Sequence, residues 1–311
     1  MMFTKFPSKL VSAGAFACAV ILSGSICRAD DQDILNLAAA ATSGDADAEF
    51  QLGKDYANGT GVPADLSKAV SLYTDAASKG NMKAQNNLGI LFQTGKGVPR
   101  NMQLAVLWYR KSAEQGNASA QDNLGQAIWN GTGAARDPRQ ALDWFSKAAN
   151  QGFVNGEYHL GELYYYGDAG VPQDNKLALQ WLLKAANGGN ARAQTMAGLI
   201  YQTGVDGKPD IKEAANWYQK AADAGAKEGE FYLGSLYTTG EGVEHNPARA
   251  YYWLALSAAQ GEVPAQNMLA DYKRGMSPED TAEAVKLLKQ TGTGQKALEF
   301  MNADQTVVGV R

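Results

Sequence analysis

The sequence predicts an all-α solenoid built from helix–turn–helix repeats, and three recurrences predict it. A Leu-Gly pair stands at Leu52-Gly53, Leu88-Gly89, Leu124-Gly125, Leu160-Gly161 and Leu233-Gly234, with Ala197-Gly198 in the fifth unit. The spacing is 36 residues, with one extra residue in the loop from Gly167 to Val171. A glycine turn follows each pair, as Gly59-Thr60-Gly61-Val62, Gly95-Lys96-Gly97-Val98, Gly131-Thr132-Gly133-Ala134 and Gly240-Glu241-Gly242-Val243. Two units depart, with Gly167-Asp168-Ala169-Gly170-Val171 and Gly204-Val205-Asp206-Gly207. A Lys-Ala-Ala ending, clearest at Lys147, Lys184 and Lys220, leads to a closing glycine at Gly152, Gly189 and Gly225. Self-similarity at such a period marks supersecondary units that bury their apolar faces only by stacking.

The first element is a leader. Lys5 and Lys9 form a short basic start, Leu10 to Ile26 is apolar or small almost throughout, and Cys27-Arg28-Ala29 offers small residues at the −3 and −1 positions of a cleavage site. This layout predicts a signal peptide over 1–29 and a mature chain from Asp30, and the apolar stretch is short for a membrane anchor. Lipidation at Cys18 or Cys27 is the competing reading, but Ile26 is a poor residue before a lipidated cysteine and Cys18 comes early. Both cysteines fall inside the leader, so the mature chain is expected to have no thiol, disulfide or Cys-bound metal. The formal net charge is −4, and the leader carries three cations and no acid, which leaves −7 from Asp30 onward. That sign argues against nucleic acid and anionic membrane surfaces as partners.

Within a repeat, Ala84, Leu88, Leu91 and Phe92 form the apolar stripe of a helix A. A mid-helix glycine costs about 1 kcal/mol relative to Ala, so its return beside this stripe implies that another backbone passes too close for a Cβ. The paired glycines suit a left-handed C′ residue and a sharp turn. Asp65, Asn101, Asp137, Asp174, Asp210 or Asn246 then precedes helix B as an N-cap, with Pro138 and Pro247 at the first helical position. In helix B, Ala105, Trp108, Tyr109, Ser112 and Ala113 form the expected buried stripe. Trp108, Trp144, Trp181, Trp217 and Trp253 share one column, which is expected to be core.

The ends read as caps. Ile34 to Thr42 looks like a lone helix B, Ala265 to Tyr272 like a last helix A, and Ser277-Pro278-Glu279-Asp280 like the start of a final helix reaching about Gln290. Residues 30–290 are thus expected to hold about six full repeats plus capping helices. Thr291-Gly292-Thr293-Gly294 reads as a linker, and 291–311 as a mobile tail with at most one short helix.

The Leu-Gly, Gly-x-Gly-Val, Asp/Asn, Ala-x-x-Trp-Tyr and Lys-Ala-Ala elements, in this order, resemble the Sel1-like repeat family, a subgroup of the tetratricopeptide-type repeats. The resemblance covers about Asp33 to Gln290. It implies a right-handed superhelix whose concave face binds other proteins, in an adaptor or regulator without catalytic activity or cofactor. It further implies a monomer, periplasmic or secreted, with a periplasmic, envelope or host protein as partner. Some cysteine-rich members are linked to β-lactam binding or hydrolysis, and this chain lacks their cysteines. An envelope enzyme or small-molecule binder, for a β-lactam or peptidoglycan fragment, is the rival reading. A deep polar pocket would favour it.

The residues themselves offer little chemistry. His159 and His245 are the two histidines and lie two units apart, and no nucleophile elbow, phosphate loop or paired metal ligands are present. No metal site is expected. Aromatics are the better lead. By analogy with tetratricopeptide repeats, the concave face takes the helix A columns of Lys83, Asn86, Ile90, Gln93 and Thr94. These columns also hold Phe50. The residues expected to bind a partner there are Trp129, Tyr158, Tyr165, Tyr166 and Phe231, because exposed Trp and Tyr dominate interface energetics.

Overall fold

The computed structural model describes residues 29–308, with side chains from 32 to 300. The expected leader falls, but for Ala29, outside the described residues. The described residues form sixteen helices and no β-strand. The chain divides into two compact units at Trp144–Phe145.

The first unit holds α1 (Ala29–Thr42), α2 (Ala46–Asn58), α3 (Leu66–Ser78), α4 (Met82–Thr94), α5 (Met102–Glu114), α6 (Ala118–Asn130) and the start of α7 (Pro138–Asn150). From α1 to α6 each helix packs on its chain neighbours. The second unit holds the end of α7, then α8 (Val154–Tyr166), α9 (Asn175–Asn187), α10 (Ala191–Thr203), α11 (Ile211–Asp223), α12 (Lys227–Thr239), α13 (Pro247–Ala259), α14 (Val263–Arg274), α15 (Pro278–Lys289) and α16 (Gly292–Val308). Here α8 to α14 pack in chain order, and α10 also touches α8 and α12. The even-numbered helices from α2 to α14 are helix A of their repeats, so α8, α10 and α12 are three successive A helices in contact.

The caps follow the sequence. Asp65, Asn101, Asp174, Asp210 and Asn246 each accept a hydrogen bond from a backbone N–H in the first turn of helix B, and Asp137 accepts from the Gln140 N–H. The turn glycines do two jobs. The first ends helix A in the left-handed region at Gly59, Gly95, Gly131 and Gly240. The second lets the turn dock: a Cβ at Gly133 would run into the Met102 carbonyl at the start of α5. In the two departing turns, isolated β-bridges join Asp168 to Val171 and Val205 to Lys208.

Two sequence expectations about the core need correction. At the helix A glycine, what comes close is chiefly a side chain of helix B rather than its backbone. Tyr109 lies against Gly89, Leu182 against Gly161 and Tyr218 against Gly198. That neighbour is also the true core column. Tyr73, Tyr109, Phe145, Leu182, Tyr218 and Leu254 are all buried. The tryptophan one position earlier is less deeply placed: Trp144 and Trp217 are buried, but Trp108, Trp181 and Trp253 are half-buried. A helix rotates about 100° per residue, so two adjacent large side chains cannot share one inward direction. The tryptophan lies at the flank, where Lys111, Lys184 and Lys220 bring their ammonium groups 4.5, 3.8 and 3.7 Å from the ring centres of Trp108, Trp181 and Trp217. The Lys of Lys-Ala-Ala therefore covers an indole, while its alanines are buried, as at Ala148 and Ala149.

A polar column crosses this core at the fourth residue of each helix A. Gln85, Gln194 and Gln266 donate their amides, at 3.1 Å, to the carbonyls of Ala77, Ala186 and Ala258 at the end of the preceding helix B. From beyond the end of the next helix B, Gln115 donates to Gln85 Oε1 (2.7 Å) and Gln260 to Glu230 Oε2 (2.8 Å). Lys79 reaches Glu49 in the same way, at 2.5 Å. In the fifth repeat the donor's place is taken by Ala224, and Gln194 Oε1 is buried with no hydrogen-bond partner among the described residues.

Both ends differ from the expectation. Helix α1 begins at Ala29 rather than Ile34, and its Leu37, Ala38, Ala40 and Ala41 pack with Ala48 and Leu52 of α2. The segment read as a linker and mobile tail contains a long helix, α16. Thr291 Oγ1 accepts from the Gly294 N–H at its start, and Ala297, Leu298 and Phe300 join the cluster of Tyr251 and Leu254. Of the two glycines read as linker residues, Gly294 serves close packing instead, since a Cβ there would meet the Leu288 carbonyl.

Candidate functional site

In the second unit, α8, α10 and α12 line a cleft of about 280 Å³. Helix α10 contributes Met196 and Leu199, with Thr195 and Arg192 beside them. Tyr158, Glu162 and Tyr166 come from α8, and Glu228 and Tyr232 from α12. The spacing of these residues follows from the helix: Tyr158, Glu162 and Tyr166 are four apart and so lie along one face.

Tyr158 is 6% exposed. Its hydroxyl donates to Glu162 Oε1 at 2.7 Å and accepts from Arg192. Burial, reinforced by the Glu162 carboxylate, pushes this phenol far above its ordinary value, so it stays a donor at all ordinary pH. Tyr166 is 63% exposed and meets Tyr165 edge to face, at 5.0 Å between centroids. Tyr232 stacks on Tyr218 at 5.0 Å. Partial burial raises both the Tyr166 and the Tyr232 phenols, and nearby carboxylates add to it: Glu162 for Tyr166, and Glu262 and Glu228 for Tyr232. Lys227 offsets part of this charge, pairing with Glu262 at 2.9 Å and, more loosely, with Glu228 at 3.9 Å. The cleft is thus an aromatic and apolar hollow with two carboxylates and one guanidinium at its rim.

Of the residues expected to bind, the structure brings Tyr158 and Tyr166 into this cleft. Tyr165 is half-buried and packs against the core of Leu182, Ala197 and Ile200. Phe231 packs toward Tyr251 and Leu254, its ring 5.2 Å from Tyr232. Trp129 belongs to the first unit, where it is half-buried near the end of α6 and engaged in side-chain interactions. Aromatic character does not mark Glu162 and Leu199, which stand in the Ile90 column, or Arg192 and Glu228, which stand in the Lys83 column. Met196 and Tyr232 stand one column further round, in the column of Asn87.

Other candidates hold less. His159 stacks on Phe145 at 5.3 Å, a packing position. A wider polar hollow of about 460 Å³ runs between Gln173–Lys176 and Gly204–Gly207, and its Asp174 already serves as an N-cap. No group of three metal-binding side chains occurs among the described residues. No helix among them is long and apolar enough to cross a membrane.

The Sel1 repeat pattern matches seven times, over 46–81, 83–117, 118–153, 154–190, 191–225, 227–262 and 263–292. The chain belongs to the Sel1 repeat family. The seventh match is α14 with α15, a repeat whose turn, Gly275-Met276-Ser277, lacks the second glycine. A Sel1 repeat protein of Oxalobacter formigenes is similar at 32% identity and a TM-score of 0.65, over 70% of this chain and 89% of that one. A protective antigen of uropathogenic Escherichia coli with an SLR fold is 34% identical, with a TM-score of 0.44, over 85% of this chain and 63% of that one. An immunity protein of Pseudomonas aeruginosa is 23% identical, with a TM-score of 0.44, over 75% and 89%. No curated protein matches. Sel1 repeat proteins generally mediate protein–protein interaction.

Proposed function

We propose that this Sel1 repeat protein is an exported, non-catalytic docking module that holds a segment of a partner protein in the cleft between α8, α10 and α12. One observation carries the reading: the 280 Å³ hollow has the volume of one or two side chains and an exposed tyrosine at its rim. Such a hollow suits an anchor residue, and large aromatic and apolar anchors in small desolvated pockets supply most of the affinity of an interface. The acidic balance of the chain disfavours nucleic acid as the partner. Export rests on the leader, with its basic start at Lys5 and Lys9 and its small residues before Asp30.

The test is a photo-crosslinking residue placed in living cells at Tyr166, and separately at Leu107, an exposed apolar position of α5 in the first unit. A discrete adduct from position 166 and none from 107 is expected. Adducts from 107 alone, or equally from both, sink the cleft as the docking site. Intact mass of the protein from a periplasmic extract should correspond to a chain beginning at Asp30 without lipid. A diacylglycerol increment on Cys18 or Cys27 overturns that part.

A further inference from the structure

We propose that the cleft accepts a basic side chain, Lys or Arg, from an extended segment of the partner. This inference rests on the docking reading above. Three observations point to a cation rather than to an apolar or acidic anchor. The rim carries two carboxylates, Glu162 and Glu228, against the single guanidinium of Arg192. Lys227 is shared between two carboxylates, lying 2.9 Å from Glu262 and 3.9 Å from Glu228, so one ammonium serves both. An open acidic rim of this kind draws in and orients the opposite charge.

The second observation is the exposed ring of Tyr166. At three tryptophans this protein covers the ring face with its own cation three residues on, Lys111 over Trp108, Lys184 over Trp181 and Lys220 over Trp217. Three residues after Tyr166 stands Ala169. A partner's ammonium or guanidinium over this ring reproduces the interaction the chain supplies for itself elsewhere, with attraction to the negative face of the π system. The third observation is shape. Met196 and Leu199 give the hollow an apolar lining for the methylene stem of Lys or Arg, while the rim carboxylates meet its charged end.

The experiment uses the full mature chain with ¹³C-labelled methionine methyls and three probes: acetyl-Ala-Arg-Ala-amide and its Glu and Leu counterparts. Met196 lines the cleft, and Met82, in the first unit, serves as the reference. The expected result is saturable movement of the Met196 methyl signal with the Arg peptide, weaker movement with the Leu peptide and none with the Glu peptide, Met82 remaining still. Tyr166→Ala and Glu228→Gln should each weaken the Arg peptide about two- to five-fold, the size of one exposed cation–π or charge contact. Arg192→Gln should bind it no more weakly than the parent, and the methyl spectrum of each variant checks that it is folded. Preference for the Glu or Leu peptide overturns the basic-side-chain assignment and leaves the docking reading standing. Silence toward all three peptides overturns this assignment too, whereas the docking reading falls only on the crosslinking result.

Discussion

Cε1 of Tyr218 lies 2.5 Å from the point where a Cβ on Gly198 would stand. The glycine sits in the middle of α10, where helix propensity alone favours Ala by about 1 kcal/mol. Tyr218 is fully buried and its hydroxyl donates to Gln202 at 2.7 Å, so the ring is held at both ends. Gly198→Ala is therefore expected to destabilise by about 1–3 kcal/mol, the range for overpacking a filled core. Denaturant unfolding checks it. A variant as stable as the parent shows that the ring yields, and the recurrent glycine then needs another explanation.

The two adjacent large residues of helix B should separate in energy. Leu182 is fully buried, and Leu182→Ala should cost about 2–5 kcal/mol. Trp181 is half-buried, so Trp181→Ala should cost less despite removing more atoms, roughly 1–2 kcal/mol from area removed from water. Removing the ammonium that covers it, by Lys184→Ala, should cost about 0.5–1 kcal/mol and expose the indole to a quencher. A larger loss for Trp181→Ala than for Leu182→Ala contradicts the placement of the core column.

These residues show what the sequence made legible. The period, the Asp/Asn caps and the glycine turns are local requirements, met by one or two residue types each, so they were read with their roles. Which of Trp181 and Leu182 points inward depends on helix rotation against a neighbour, and residue type alone favoured the tryptophan. Likewise the cleft lies on helix A columns that the sequence marks by their aromatics, but Glu162, Arg192 and Glu228 read there as ordinary surface charges. Their meaning comes from proximity across three helices, which the spacing within one helix does not encode. The tail reads as a linker because its glycines imitate one, while its burial depends on contacts with α13.

The fifth repeat offers a gain of stability. Gln194 Oε1 is buried without a partner among the described residues, and Ala224 occupies the place from which Gln115 and Gln260 donate in other repeats. The backbone is the same: φ and ψ are −82° and 1° at Ala224 and −82° and −1° at Gln115. Ala224→Gln is expected to satisfy that oxygen and stabilise by about 0.5–1.5 kcal/mol. Thermal unfolding measures it. An unchanged or lower midpoint shows that solvent already meets the need or that the new side chain points outward.

Glu230 occupies the same column in the sixth repeat and should make stability depend on pH. It is 3% exposed, and burial pushes its carboxyl from 4.5 up to about 7, the nearby Glu228 adding a little and the Gln260 amide opposing. The neighbouring cation, Lys227, is held by Glu262. The folded value lies above the unfolded one, so folding favours the protonated acid. The stabilisation is complete below about pH 4.5 and is lost as pH rises through about 7, a difference on the order of 2–3 kcal/mol. The protonated carboxyl can also donate, as the amides of Gln85, Gln194 and Gln266 do to the carbonyl eight residues back; for Glu230 that residue is Ala222. Glu230→Gln carries such a donor at every pH and still accepts from Gln260. It should therefore leave stability near pH 5 almost unchanged, raise it at pH 8, and flatten the profile between them. Urea midpoints of parent and variant from pH 5 to 8 decide the matter. Parallel profiles for the two proteins would falsify the assignment of this titration to Glu230.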